Sequence, residues 1–166
     1  MIKAVFFPDL CCHKFSALII YPAGIVTSPN YPEKYPHGLK KTETIMVEQG
    51  FVLLLEFTAF DTELHGAFCV DTLIIKDGDG TTLMEETCGG AFYGKLIIGG
   101  KVFNSTLPAK VASRSNEVNL IFTTSDIWAM RGWKINWLAS KFIIPLHCIL
   151  LLGILLLLFA LGLKEK

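Results

Sequence analysis

The chain has no excess of charge of either sign, with 15 Lys and Arg against 15 Asp and Glu in 166 residues. It therefore lacks the basic footprint of a nucleic-acid-binding protein. Histidine is scarce, and His13, His37, His65 and His147 fall in no HExxH pattern; GxSxG and a phosphate-cradling loop are also missing. Nothing in the motifs calls for metalloprotease, serine-hydrolase or nucleotide chemistry, so neither an enzyme nor a small-molecule substrate is expected. Repeats, low-complexity tracts and linkers are absent. The Asp77-Gly-Asp79-Gly-Thr-Thr stretch is not an EF-hand, because the sixth and twelfth loop positions fall on Thr82 and Cys88 where Gly and Glu are required. It reads instead as a tight β-turn.

Charge is missing altogether from Phe142 to Leu163, a run of 22 residues between Lys141 and the terminal Lys164-Glu165-Lys166. At about 1.5 Å rise per helical residue such a run crosses a hydrocarbon core of about 30 Å. We expect a C-terminal transmembrane α-helix at 142–163 within a 141–166 tail region. A buried core helix fits poorly with four consecutive leucines, and a cleaved lipid-anchor signal lacks its polar spacer. Pro145 and His147 lie in the first turns, where a spanning helix tolerates them, and Cys148 reads as a small lipid-facing residue. Lys164 and Lys166 outnumber Lys141, and Asn104-Ser105-Thr106 is a glycosylation sequon. Both point to a single-pass membrane protein with its N-terminal part outside and a three-residue cytoplasmic tail.

The section in front of the tail is long enough for one domain with a real core and too short for two. Its opening, Met1 to Gly24, makes a poor signal peptide, because Pro8, Asp9 and His13-Lys14 interrupt the apolar run. Residues 1–21 are read as a leader, and the chain as an incomplete or alternatively spliced product of a larger extracellular protein. From there the rhythm is that of strands: Thr44–Val47, Phe51–Phe57, Thr72–Lys76, Lys95–Ile98, Val118–Thr123 and Trp133–Leu138, divided by Gly, Pro, Asn and Asp clusters. Phe51–Phe57 reads as buried on nearly both faces, and Trp133–Leu138 as half-exposed. The expected class is all-β, a sandwich or jelly roll.

The order of short motifs resembles that of CUB domains. Gly24-Ile-Val-Thr-Ser28-Pro29-Asn30-Tyr31-Pro32-Glu-Lys-Tyr35-Pro36 is similar to the family's opening. Leu55-Glu-Phe57-Thr-Ala-Phe60-Asp61-Thr-Glu63 and Cys69-Val-Asp71-Thr-Leu-Ile-Ile-Lys-Asp-Gly78 resemble its centre. Thr87-Cys88-Gly89, Ser113-Arg-Ser115-Asn116, Phe122-Thr-Thr-Ser125-Asp126 and Gly132-Trp133 follow in family order. The resemblance spans roughly residues 22 to 139 and places a CUB domain at 22–140. It implies a jelly-roll sandwich of two antiparallel sheets with about ten strands, serving extracellular binding.

The same resemblance implies a Cys69–Cys88 disulfide, worth about 3 kcal/mol for a loop of about 20 residues. The family's other common bridge is missing, since its second cysteine falls at Lys41, as in the first CUB domains of complement C1s-type proteases. Cys11 and Cys12 are left without an obvious partner. The resemblance further implies a Ca2+ site with Glu63 and Asp71 as carboxylate ligands and Tyr35 as the supporting tyrosine. At the third ligand position an ungapped match places Ser125, with Asp126 one residue later, so Asp126 serves only if the loop shifts. Asp61 is a further oxygen donor, read as supporting or exposed, and His65 as a surface residue. Ordinary solvated loop carboxylates are the alternative.

The loop from Asp126 to Trp133 is unusually apolar, so Ile127, Trp128, Met130 and Arg131 form a candidate partner-binding tip, weighed against burial of Trp128 in the core. Two functions stay open. One is a membrane-anchored extracellular CUB domain that binds a protein partner, with calcium dependence. The other is a non-catalytic terminal fragment of a larger protease or receptor, with a structural role.

Overall fold

The computed structural model describes residues 21–141. The 142–163 run, Cys148 and the leader with Cys11 and Cys12 lie outside the described residues. Within them the fold is all-β, with twelve strands and no helix. In chain order these are β1 (Ala23–Thr27), β2 (Lys40–Met46), β3 (Phe51–Thr62), β4 (Leu64–His65), β5 (Phe68–Cys69), β6 (Thr72–Asp77), β7 (Thr82–Gly90), β8 (Lys95–Ile98), β9 (Lys101–Phe103), β10 (Val111–Ala112), β11 (Glu117–Thr123) and β12 (Gly132–Lys141).

Every pairing is antiparallel, and ten of the strands form one continuous sheet along the path β1-β12-β3-β7-β6-β11-β2, with β4-β5 a separate ribbon. This differs from two separate sheets. The sheet curls on itself where β3 touches β7, through only Asp61↔Gly90 and Thr62↔Gly89. That corner requires glycine: a Cβ on Gly90, at φ 121°, would sit 1.9 Å from the Phe60 carbonyl oxygen. Any side chain there forces the two halves apart.

Strand periodicity explains what lies between the halves. On β11, Val118, Leu120 and Phe122 are buried; on β3, Leu53, Leu55 and Phe57; on β12, Trp133 and Ile135. These join Leu73 and Ile75 of β6 in one core. Phe122 stacks edge-on against both Tyr35 at 5.1 Å and Trp133 at 5.8 Å, each such pair adding about 0.5–1.5 kcal/mol beyond burial. The Phe51–Phe57 run is buried on one face only, since Leu54, Glu56 and Thr58 point outward. Its apolar composition hid the alternation, whereas the alternation expected of Trp133–Leu138 holds for buried Trp133 and Ile135 against half-buried Lys134 and Asn136 and stops at Trp137 and Leu138, both half-buried. Asp77 to Thr81 forms the expected turn between β6 and β7, closed by Gly80 N–H on the Asp77 carbonyl at 2.9 Å.

Antiparallel pairing also sorts the ends of the sandwich. β11 ends where β6 begins, with Thr123 opposite Thr72, and β12 begins where β3 ends, with Gly132 opposite Asp61. Residues next to these four strand ends share one end of the molecule.

Candidate binding end

Glu63 follows β3, Asp71 precedes β6 and Ser125 follows β11, so the topology alone brings them together. Tyr35, in the loop before β2, completes the group. It is buried among core residues, and its hydroxyl donates to Asp71 Oδ2 at 2.5 Å. The Tyr35 hydroxyl oxygen in turn accepts from the Glu63 N–H at 3.1 Å. Burial first, and then the hydrogen bond to Asp71, push the Tyr35 hydroxyl far above its ordinary value, so it remains a donor at any physiological pH. Ser125 closes the other side, its N–H donating to Asp71 Oδ1 at 2.6 Å and its hydroxyl to Glu63 Oε2 at 3.0 Å. Asp71 is 0% exposed and Glu63 is buried. Two buried carboxylates are thus held together at this end by neutral donors.

Asp126 is not part of this group. It is exposed, and its Oδ1 lies against the backbone of Gly38, only 2.6 Å from where a Cβ there would stand. The preceding residues fix this. Thr124 N–H donates to the Leu39 carbonyl, Leu39 N–H to Thr124 Oγ1, Thr124 Oγ1 to the Pro36 carbonyl, and Gly38 N–H to the Ser125 carbonyl, all at 2.8–2.9 Å. Among the described residues no three His, Cys, Asp or Glu side chains gather as a metal site. Calcium takes six to eight oxygens and binds more tightly as charged ligands are added. Two carboxylates facing a hydroxyl and an N–H that already donate to them do not fit such an ion.

The tip stands beside this group. Trp128 is 63% and Ile127 70% exposed, so Trp128 is not a core residue, while Met130 is half-buried. With Phe92, another exposed aromatic, they line a cleft of about 560 Å3 that also touches Lys34, Asp61 and Arg131. Asp61 is buried rather than exposed, accepting from the Phe92 N–H at 3.1 Å with Arg131 Nε 3.8 Å from its other oxygen. Burial raises its carboxyl above the usual range, offset in part by those two neighbours. Phe92 had one signal in the sequence, an aromatic pair inside the Gly-rich turn Gly89–Gly94. His65 is exposed, as expected.

Cys69 of β5 and Cys88 of β7 are joined by a disulfide. It ties the β4-β5 ribbon, which follows Glu63, to the main sheet. The same end is thus fixed by covalent and hydrogen-bonded links, while Ile127 and Trp128, and with them Phe68 of β5 and Phe92, are left exposed. Asn104 is exposed just after β9.

Comparison with known proteins gives these features a family. The sequence profile of the CUB domain matches residues 12–137. The chain is 31% identical to cubilin of Rattus norvegicus over 114 residues, 69% of this chain and 3% of that protein. It is 30% identical to the complement C1s subcomponent of Sus scrofa, over 69% of this chain and 15% of that one. With neuropilin-1 of Homo sapiens it shares 30% identity, over 70% of this chain and 12% of the relative. It therefore spans only a small part of the length of these relatives. Among solved structures, the CUB1-EGF-CUB2 domains of rat MASP-1 superpose with a TM-score of 0.57 at 21% identity, covering 71% of this chain and 40% of that one. The MASP-1 CUB2 domain, solved bound to Ca2+, gives 0.50 at 26% identity, covering 69% and 90%. Curled antiparallel sheet, Cys69–Cys88 bridge and profile match agree: the chain belongs to the CUB domain family.

Proposed function

We propose that this chain is a non-catalytic, extracellular protein-binding module, held at a membrane by its 142–163 run and glycosylated at Asn104. Binding uses the end where Glu63 and Asp71 lie beside the Ile127–Trp128 tip. The observation that carries this reading is the pair of large apolar side chains left in water next to two buried carboxylates. Trp, Met and Arg, the residue types of this tip, are enriched at interface centres. The partner of this reading is a protein that offers apolar surface to Trp128 and a basic side chain on the side of the buried Glu63 and Asp71, with Arg131 at the rim. Calcium dependence is the finer form of the reading, and the donor set argues against it. A purely structural fragment would give no reason to keep Ile127 and Trp128 exposed.

The test places a photo-crosslinking residue at Ile127 of the full chain on intact cells, with Lys101 as a remote exposed control. The expected result is a saturable adduct with a surface protein from position 127, weakened by Trp128→Ala. Equal adducts from both positions would overturn the reading.

A further inference from the structure

We infer that Ser125 takes the place of a cation in this domain, so that its acidic end is assembled without calcium and works independently of it. A divalent ion between two carboxylates serves to hold them together and to offset their mutual repulsion. Here one residue makes both links through donors of its own: the Ser125 N–H reaches Asp71 and its hydroxyl reaches Glu63. The Tyr35 hydroxyl supplies a third donor to Asp71 and accepts from the Glu63 N–H, tying the two acidic residues together from the opposite side. Hydrogen bonds to ionised carboxylates are about twice as strong as neutral ones, and they need no ion to be bound first.

The alternative arrangement is blocked by register. Bringing Asp126 to the position of Ser125 requires the strand exit to slide by one residue. That slide breaks the Thr124–Leu39 pair, the Thr124–Pro36 bond and the Gly38–Ser125 bond together. It also removes Asp126 from Gly38, whose φ of 61° and missing side chain make room for that carboxylate. The Ser125 carbonyl, the remaining oxygen of that residue, accepts from Gly38 N–H. One residue, a neutral hydroxyl where a third carboxylate would stand, thus converts a metal-dependent arrangement into a self-sufficient one.

This inference takes the Glu63–Asp71 end as the binding end, but its test reads calcium and thermal stability, so its failure is distinct from failure of the binding proposal. The unfolding midpoint of the full chain in detergent is measured with 5 mM calcium and with chelator, for the native sequence and for Ser125→Asp. The native midpoint is expected to be the same in both. Ser125→Asp is expected to lose stability in chelator and to regain it with calcium, a rise of about 5–10 °C once calcium is a hundredfold above its Kd. A calcium-dependent rise in the native protein overturns the inference, and so does a folded Ser125→Asp that calcium leaves unchanged. Should the variant fail to fold under both conditions, the native comparison decides alone, supported by calorimetric titration of calcium into the native chain, where saturable heat is the overturning result.

Discussion

β6 carries a buried aspartate at each end, Asp71 just before it and Asp77 as its last residue, about 20 Å apart. Both are out of water and both are met by backbone N–H groups and a hydroxyl, yet they are not equivalent. Asp77 receives four donors: Arg114 N–H at 2.8 Å, Gly78 N–H at 3.0 Å, Ser115 N–H at 3.2 Å and the Ser115 hydroxyl. Its acceptor capacity is consumed in fastening the β6–β7 turn to the segment before β11. Asp71 and Glu63 share three donors between two carboxylates, beside exposed apolar side chains. Asp77 is thus a saturated fastener, while Glu63 and Asp71, though also buried, keep spare acceptor capacity at the end that we propose faces a partner. On the proposed reading, the two ends of one strand separate folding from recognition.

Substitutions test this separation, and the largest effect belongs to Asp77. Asp77→Ala leaves the Arg114 and Ser115 N–H groups without an acceptor, while Gly78 N–H and the Ser115 hydroxyl keep the Glu117 carbonyl; an unsatisfied buried group costs about 1–3 kcal/mol, so a loss on the order of 3–4 kcal/mol is expected in urea unfolding. Binding by the folded fraction should be unchanged. Tyr35→Phe removes a donor to Asp71 and an acceptor for Glu63, and about 1–3 kcal/mol of stability with them. Here binding should weaken as well. An equal fall in stability with intact binding would make the Asp71 end another fastener.

Acid distinguishes the two ends more gently. Burial alone would raise the Asp77 carboxyl, but hydrogen bonds from Ser115, Arg114 and Gly78 outweigh it and hold the group below the usual carboxylate range. Its stabilisation is therefore complete above the unfolded value of about 3.9 and is lost as pH falls through the lower folded value. Stability measured from pH 5 to 2 should show this loss, and Asp77→Asn should flatten that part of the curve. The smallest change in stability is expected for Trp128→Ala, within about 0.5 kcal/mol because the side chain is exposed. The same substitution should lower partner affinity about thirtyfold or more if Trp128 is a hot spot. Surface binding measurements with unchanged affinity would remove the tip from the interface.

The sequence made much of this legible because motif residues lie next to strand ends. Tyr35, Glu63, Asp71 and the Cys69–Cys88 pair could be matched one by one, and strand pairing then placed them together. Ser125 was ambiguous against Asp126, because one-residue register in a loop depends on hydrogen bonds to Pro36, Leu39 and Gly38, nearly 90 positions earlier. The exposure of Trp128 was hidden for the opposite reason: an aromatic between strands carries no period to say which way it faces. Two sheets were expected where one curls, since nothing in the composition of β3 and β7 announces that Gly89 and Gly90 let them meet.

β12 runs ten residues from Gly132, beside the carboxylate bay, to Lys141, opposite Phe51 at the other end. Its length is about 30 Å. Whatever grips the chain beyond Lys141 grips it at the far pole, and β12 acts as a stiff mast with the bay at its top. For a chain anchored there as proposed, a partner on an opposing surface meets that end first, while a neighbour rooted in the same surface must reach the full height of the mast. The direction of one strand thus favours contact between facing surfaces over contact within one.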